Sequence, residues 1–324
     1  MNLKINRSES RYAISLLLVS SLFLLQGSLC AQDSSAVTEE PATHAKLKPV
    51  KNTFQSVWII DNQTVMVPIK GTFEMDIMHR FGTVKKGYDD FWGFFAPSNI
   101  RLGASYAPIN KLYIGIGITK SNMLWDGSIK YSIISQTKGV YPVSITYYGN
   151  VAYDTRKDPD KSIFKYESQR MLFFNQLIIA RKITNKLSVQ VAPSISHQNA
   201  VNGYYTKNDS TGKEIFKEMK FDHFAVAISG RYKLTNVTSL MINYDQPITK
   251  HATHNPNPNL SLGFEFNTSA HSFQLFLGNY SLLNPQRNNL YNTNSPFGYK
   301  DVDGKKVKGG NFLIGFNITR LWNY

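Results

Sequence analysis

The chain has 324 residues, a formal net charge of +14 and a single cysteine, Cys30. One cysteine excludes an internal disulfide framework and a thiolate metal site. The basic balance raises nucleic acid as a partner, but the export signal at the N-terminus argues against it and favours anionic lipid head groups or anionic solutes.

Residues 1–31 have the layout of a secretory signal peptide. Lys4, Arg7 and Arg11 form a basic start, Ile14 to Leu25 an apolar run, and small residues lead to Ala31, where cleavage is expected. A lipoprotein reading of Cys30 is disfavoured by the bulky Leu29 before it. Removing Lys4, Arg7, Glu9 and Arg11 with this segment takes the charge from +14 to +12. After residue 31 no apolar run approaches the roughly 20 residues of a spanning helix, so a membrane-bound chain would cross as strands. Its 20 Phe, 18 Tyr and 4 Trp would supply interfacial girdles.

Residues 32–70 read as a periplasmic lead-in. Within it, 53–69 look like two short extended pieces around a turn at Asp61 and Asn62, paired in the periplasm or entering a lumen. From Gly71 the hydrophobic period is two, which predicts half-buried strands. In "TFEMDIMHRF" Phe73, Met75 and Ile77 oppose Glu74, Asp76 and Arg80. Ile100, Leu102, Ala104 and Tyr106 oppose Arg101, Gly103 and Ser105; Leu112, Ile114, Ile116 and Ile118 oppose Tyr113, Gly115 and Gly117. Trp125, Ile129, Tyr131 and Ile133 oppose Asp126, Ser128 and Lys130. "RMLFFNQLIIARK" is apolar on both parities, which leaves its facing open. Later strands, including those with Arg231 and Glu265, alternate again, and the chain ends in an amphipathic strand, "GGNFLIGFNITRLWNY".

Twelve strands are expected, joined by connections of alternating length. Long loops at 82–98, 154–168, 198–221, 246–258 and 282–308 interleave with tight turns such as "APIN" and "KLTN". Long loops on one end and short turns on the other mark a transmembrane antiparallel up-and-down β-barrel in an outer membrane. In hydrocarbon every backbone polar group must be paired within the protein, so the last strand has to close on the first. Phe316, Ile318, Trp322 and Tyr324 then face lipid and the interface, and form the expected signal for the outer-membrane assembly machinery; Arg320, on the same parity, lies near enough to the end to snorkel. A secreted β-sandwich also alternates, but it needs neither twelve similar strands nor a closing aromatic strand.

The stretches "GTFEMDIMHRFG", "NIRLGASYAPINKLYIGIGITKS", "WDGSIKYSIISQTKG", "YPVSITYYG", "NQLIIARKITNKLSVQVAPSISHQNAV", "HSFQLFLGN" and "IGFNITR" together resemble a Bacteroidota family of outer-membrane β-barrel proteins without an assigned function. The resemblance spans about 53–324 and departs from the family in the lead to the penultimate strand, here "TSAHSFQL", which touches only a turn. It implies one barrel, no enzyme activity, no cofactor and no catalytic residue to carry over.

On the inward parity Glu74, Asp76, Arg80, Arg101, Asp126, Lys130, Arg231 and Glu265 are candidate lumen-lining residues. They would either line a narrow passive channel for small solutes, with anions favoured if the +12 charge reaches the lining, or fill the lumen with ion pairs. Gly103, Gly115 and Gly117 suggest open lumen space. Beside the channel stand a plugged, partner-binding barrel and a lipid-acting enzyme using His79 or His197; Ser196 points to the opposite face from His197, which argues against the enzyme. "DVDGK" (Asp301, Asp303, Gly304) lacks the later ligands of a calcium loop, with Phe312 at its twelfth position. "HATH" (His251, His254) offers too few ligands for a metal site. No metal is expected. The lysine-rich loops would meet lipopolysaccharide or remain solvated.

Overall fold

A computed structural model describes residues 48–323 except 208–209, 253–254 and 301–305. The proposed signal peptide, Tyr324, His254, Asp301, Asp303 and Gly304 lie outside the described residues. The protein is all-β, with twelve strands closed into an antiparallel barrel. In chain order they are β1 (Thr72–Thr83), β2 (Asn99–Ile109), β3 (Leu112–Thr119), β4 (Leu124–Ile134), β5 (Ser144–Asp154) and β6 (Met171–Lys182). Then follow β7 (Leu187–Gln198), β8 (Asp222–Lys233), β9 (Thr238–Pro247), β10 (Asn259–Asn267), β11 (His271–Gly278) and β12 (Leu313–Asn323).

Each strand pairs with its chain neighbours, and β12 bonds both to β11 and to β1. At the seam Phe316 lies opposite His79, Ile318 opposite Ile77 and Trp322 opposite Phe73. Closure leaves no strand edge unpaired, the condition for a sheet in hydrocarbon. Short turns gather at the end where β1 begins and β12 finishes. The opposite end carries the longer loops, together with two small hairpins, Gly203–Lys207 with Glu214–Glu218 and Tyr299–Lys300 with Lys306–Val307.

The period of two sorts the side chains. Outward residues in mid-strand are exposed aliphatics, among them Leu102, Ile116, Ile228 and Leu262. Exposed Tyr106, Tyr131, Tyr232, Phe266 and Phe273 stand near the short-turn end, and Trp125, Tyr153 and Phe224 near the other. Such an apolar band between two aromatic girdles is the outer face of a membrane barrel. The inward residues are buried and largely polar.

The lumen is occupied. Of the two placements open to 53–69, residues 53–65 take the lumen and run inside the barrel, with Phe54, Val57, Trp58, Ile59 and Ile60 buried. A hairpin pairs Trp58 with Gln63 and Ile59 with Asn62. Its turn is Ile60–Asp61, one residue earlier than expected, with Ile60 left-handed at φ 58°. Apolar side chains too few to make a core of their own find one in the wall: Phe54, Ile59, Ile60 and Val65 cluster with Phe174, Ile178, Ala180, Met241 and Phe276. That contact accounts for β6. Its outward parity (Phe173, Leu177, Ile179) faces the bilayer side, while Leu172, Phe174, Ile178 and Ala180 turn inward.

Candidate functional site: the plugged lumen

Plug and wall meet through hydrogen bonds and ion pairs spread around the barrel. Arg80 on β1 donates from Nη2 to Asp61 Oδ1 at 2.5 Å, with both side chains almost fully buried. Its Nη1 donates to Asn317 Oδ1 at 2.9 Å, and the guanidinium lies 4.4 Å from the Phe276 ring centre. Lys130 on β4 donates from Nζ to Gln63 Oε1 at 3.0 Å. Asn62 Nδ2 donates to Asn243 Oδ1 at 2.9 Å and to Asp245 Oδ1 at 2.8 Å. Arg231 bonds both Glu265 and Gln55.

The turn's backbone is also captured by wall amides. Ile60 N–H donates to Gln274 Oε1 at 3.1 Å, and Ile60 C=O accepts from Asn317 Nδ2 at 2.6 Å. Gln274 Nε2 donates to Trp58 C=O at 2.8 Å, and Gln190 Nε2 to Gln63 C=O at 2.8 Å. A hairpin of two-residue strands leaves most of its backbone groups without partners. Buried in a lumen, those groups are costly unless the wall supplies bonds, and Gln190, Gln274 and Asn317 supply them.

The second half of the lumen is filled from the long-loop end. Residues 279–292, with the short helix α1 (Pro285–Asn288), turn inward. Gln286 Nε2 donates to Asn150 Oδ1 at 2.5 Å, Gln198 Nε2 donates to Gln286 C=O at 3.2 Å, and Asn259 bonds Asn288. Leu283 packs in one cluster with Val57 and Trp58, so the inner hairpin and the outer loop belong to a single filling.

All eight charged candidates are buried toward the lumen. Arg80, Lys130 and Arg231 touch the plug directly. Arg101 joins Asp76 and Asp126, donating to each at 2.8 Å, and lies 5.5 Å from the Trp58 ring centre. Glu74 lies close to Asp76 and Lys130. The glycines do not leave open space. A Cβ at Gly103 or Gly117 would run into Arg101 and the carboxylate it bonds, so these positions make room for the guanidinium. The lumen is also not the seat of the positive charge: Glu74, Asp76, Asp126, Asp245 and Glu265 on the wall offset Arg80, Arg101, Lys130 and Arg231. Sequence reasoning passed over the neutral contributors, Asn243, Gln190, Gln274 and Asn317, because an inward amide is expected of any wet lumen. The double-sided apolar run of β6 is the signal that could have chosen the lumen over the periplasm for the hairpin in 53–69.

At the closing strand Phe316 stacks on His79 at 5.1 Å, and Trp322 lies 5.6 Å from Phe73. Arg320 is exposed, with its guanidinium 4.6 Å from the Trp322 ring centre. His197 Nδ1 bonds Asp222 at 2.7 Å, whereas Ser196 is buried on the opposite face. His251 Nε2 bonds His223 Nδ1 at 2.9 Å. Among the described residues no three His, Cys, Asp or Glu side chains form a metal-binding group.

A closed, lipid-banded and internally filled sheet defines a membrane β-barrel. The chain belongs to the membrane-bound β-barrel domain family DUF5777, whose pattern matches residues 54–322 and so takes in the plug as well as the barrel. Solved structures similar to it include the NanC porin, at 8% identity over 78% of this chain and 99% of that one, with a TM-score of 0.42. The KdgM porin is 9% identical over 76% of this chain and 98% of that one, with a TM-score of 0.42. An outer-membrane channel from Pseudomonas putida F1 is 12% identical over 79% and 97%, with a TM-score of 0.44. No curated protein matches the chain.

Proposed function

We propose that the protein is a non-enzymatic outer-membrane barrel that passes small solutes and is held shut in this conformation by its own N-terminal hairpin. The carrying observation is the insertion of residues 58–63 into the lumen, locked by Arg80–Asp61 and by amides from several strands. The lining does not favour anions, since wall carboxylates and cations are nearly balanced, and the solute class is left to measurement. A second reading, a non-conducting barrel that holds a partner at its loops, is favoured by the number of bonds between plug and wall.

Single-channel recording in planar bilayers separates the two. The chain 32–324 is expected to be silent or to open rarely, while the same chain lacking 53–69 shows discrete steps. A folded deletion variant that stays silent would instead support the non-conducting barrel.

A further inference from the structure

Part of the charge missing from the lumen lies on the short-turn rim, which carries it unmixed. The turns there and the strand ends beside them carry Lys70, Lys111, Lys138, Arg181, Lys186 and Lys233, and the turn sequences contain no Asp or Glu. Among the described residues none of these six cations forms an ion pair, and all are exposed or half-exposed. The long-loop end is different, since its loops mix both signs, as in "DTRKDPDK".

The rim also has a concave site. Residues 48–52 cross the β4–β5 turn, where Val50 N–H donates to Gln136 C=O at 2.7 Å and Pro49 bridges Thr137. Lys182 Nζ donates to Lys51 C=O at 3.0 Å. Between this strap, the β4–β5 turn and the β6–β7 turn lies an open groove of about 960 Å³, lined by Lys51, Lys138, Arg181 and Lys182 together with Thr137 and Tyr141. Among the described residues that line it, the groove has four cations and no carboxylate, and is under-neutralised by them. Arg181 sits on the outward parity of β6, and exposed Arg320 beside Trp322 marks head-group depth on β12. The cationic surface is therefore continuous with the lipid-facing band, at the depth where phosphates begin.

We propose that the short-turn rim, centred on this groove, binds the head groups of anionic phospholipids in the leaflet it faces. Clustered lysines and arginines at a bilayer surface attract anionic lipid in proportion to their number, and the attraction is screened within a Debye length. The inference is independent of whether the lumen conducts.

The test uses the chain 32–324 in nanodiscs made from equal parts phosphatidylcholine and phosphatidylglycerol, with retained lipids counted by native mass spectrometry. Phosphatidylglycerol is expected to exceed phosphatidylcholine by about three-fold or more at low salt. The preference should vanish as salt rises to about 0.5 M, and in the variant K138Q/R181Q/K186Q/K233Q. A long-loop control, K85Q/K86Q/K120Q, should keep it. Heat-modifiable gel mobility reports folding; if the quadruple variant does not fold, K138Q/K186Q and the salt series on the unaltered chain take its place. Equal retention of the two lipids by the unaltered chain overturns the proposal. So does an undiminished preference in the rim variant, or a loss confined to the long-loop control.

Discussion

Arg101 shows how one residue organises the wall. Its guanidinium lies between Asp76 on β1 and Asp126 on β4, across the two strands between them, and the space it occupies exists because Gly103 and Gly117 lack side chains. Asn150 completes the group by donating to Asp126 Oδ1 at 3.0 Å. Removing the cation would leave two buried carboxylates without compensation. Arg101→Met is therefore expected to cost about 3–5 kcal/mol, read as a lower urea midpoint of the heat-modifiable folded band. Gly117→Ala should cost about 1–3 kcal/mol, because its Cβ displaces the same guanidinium. In the double variant the clash has no object, so the total should fall short of the sum of the single changes. Strict additivity would mean that Gly117 serves something other than Arg101.

At the scale of elements, strands and hairpin differ in how much of them could be read in advance. The strand positions and their facing followed from alternation, because a residue such as Ile116 meets lipid while its neighbour Gly117 meets the lumen, and period two records that difference directly. The plug has no such record. Its strands are two residues long, its turn carries a left-handed isoleucine that turn statistics disfavour, and its fit depends on wall amides far away in sequence. Only β6, apolar on both parities, registered that something apolar lay inside. Loops at the far end rely on local bonds instead. Asp158 accepts backbone N–H bonds from Phe164 at 2.7 Å, from Ile163 at 3.0 Å and from Ser162 at 3.0 Å. These donors, Phe164 foremost, hold its carboxyl below the ordinary value. A depressed pKa contributes loop stability that is complete above the unfolded value, about 3.9, and is lost as pH falls through the folded one. Hydrogen exchange at the Ile163 and Phe164 amides should stay slow at neutral pH relative to an unprotected loop and lose that protection in acid. In Asp158→Ala the protection should already be missing at neutral pH. Protection indifferent to both changes would place the loop's order elsewhere.

For the whole molecule, three surfaces divide the work: an apolar band outside, a balanced and filled lumen, and a rim of one charge sign. The mature charge of +12 expected from the sequence had suggested an anion-selective lining. A net charge carries no position, and here the excess sits at the two ends of the barrel, on the short-turn rim and on the long loops, and not in the lumen. The band is what a soluble sandwich would lack, and depth separates the two cases. Ile116 is 61% exposed in the middle of β3, and Leu234 is 47% exposed in the β8–β9 turn. In a bilayer Ile116→Arg should destabilise the folded barrel by about 2–4 kcal/mol, while Leu234→Arg should cost no more than about 1. The readout is reversible unfolding in lipid vesicles. In water both sites are solvated and an arginine at either would change little, so equal small effects at the two positions would remove the band, and the membrane orientation on which the rim depends. A steep difference between them would fix the depth of the short-turn end relative to the hydrocarbon, and set the rim cations at the phosphates.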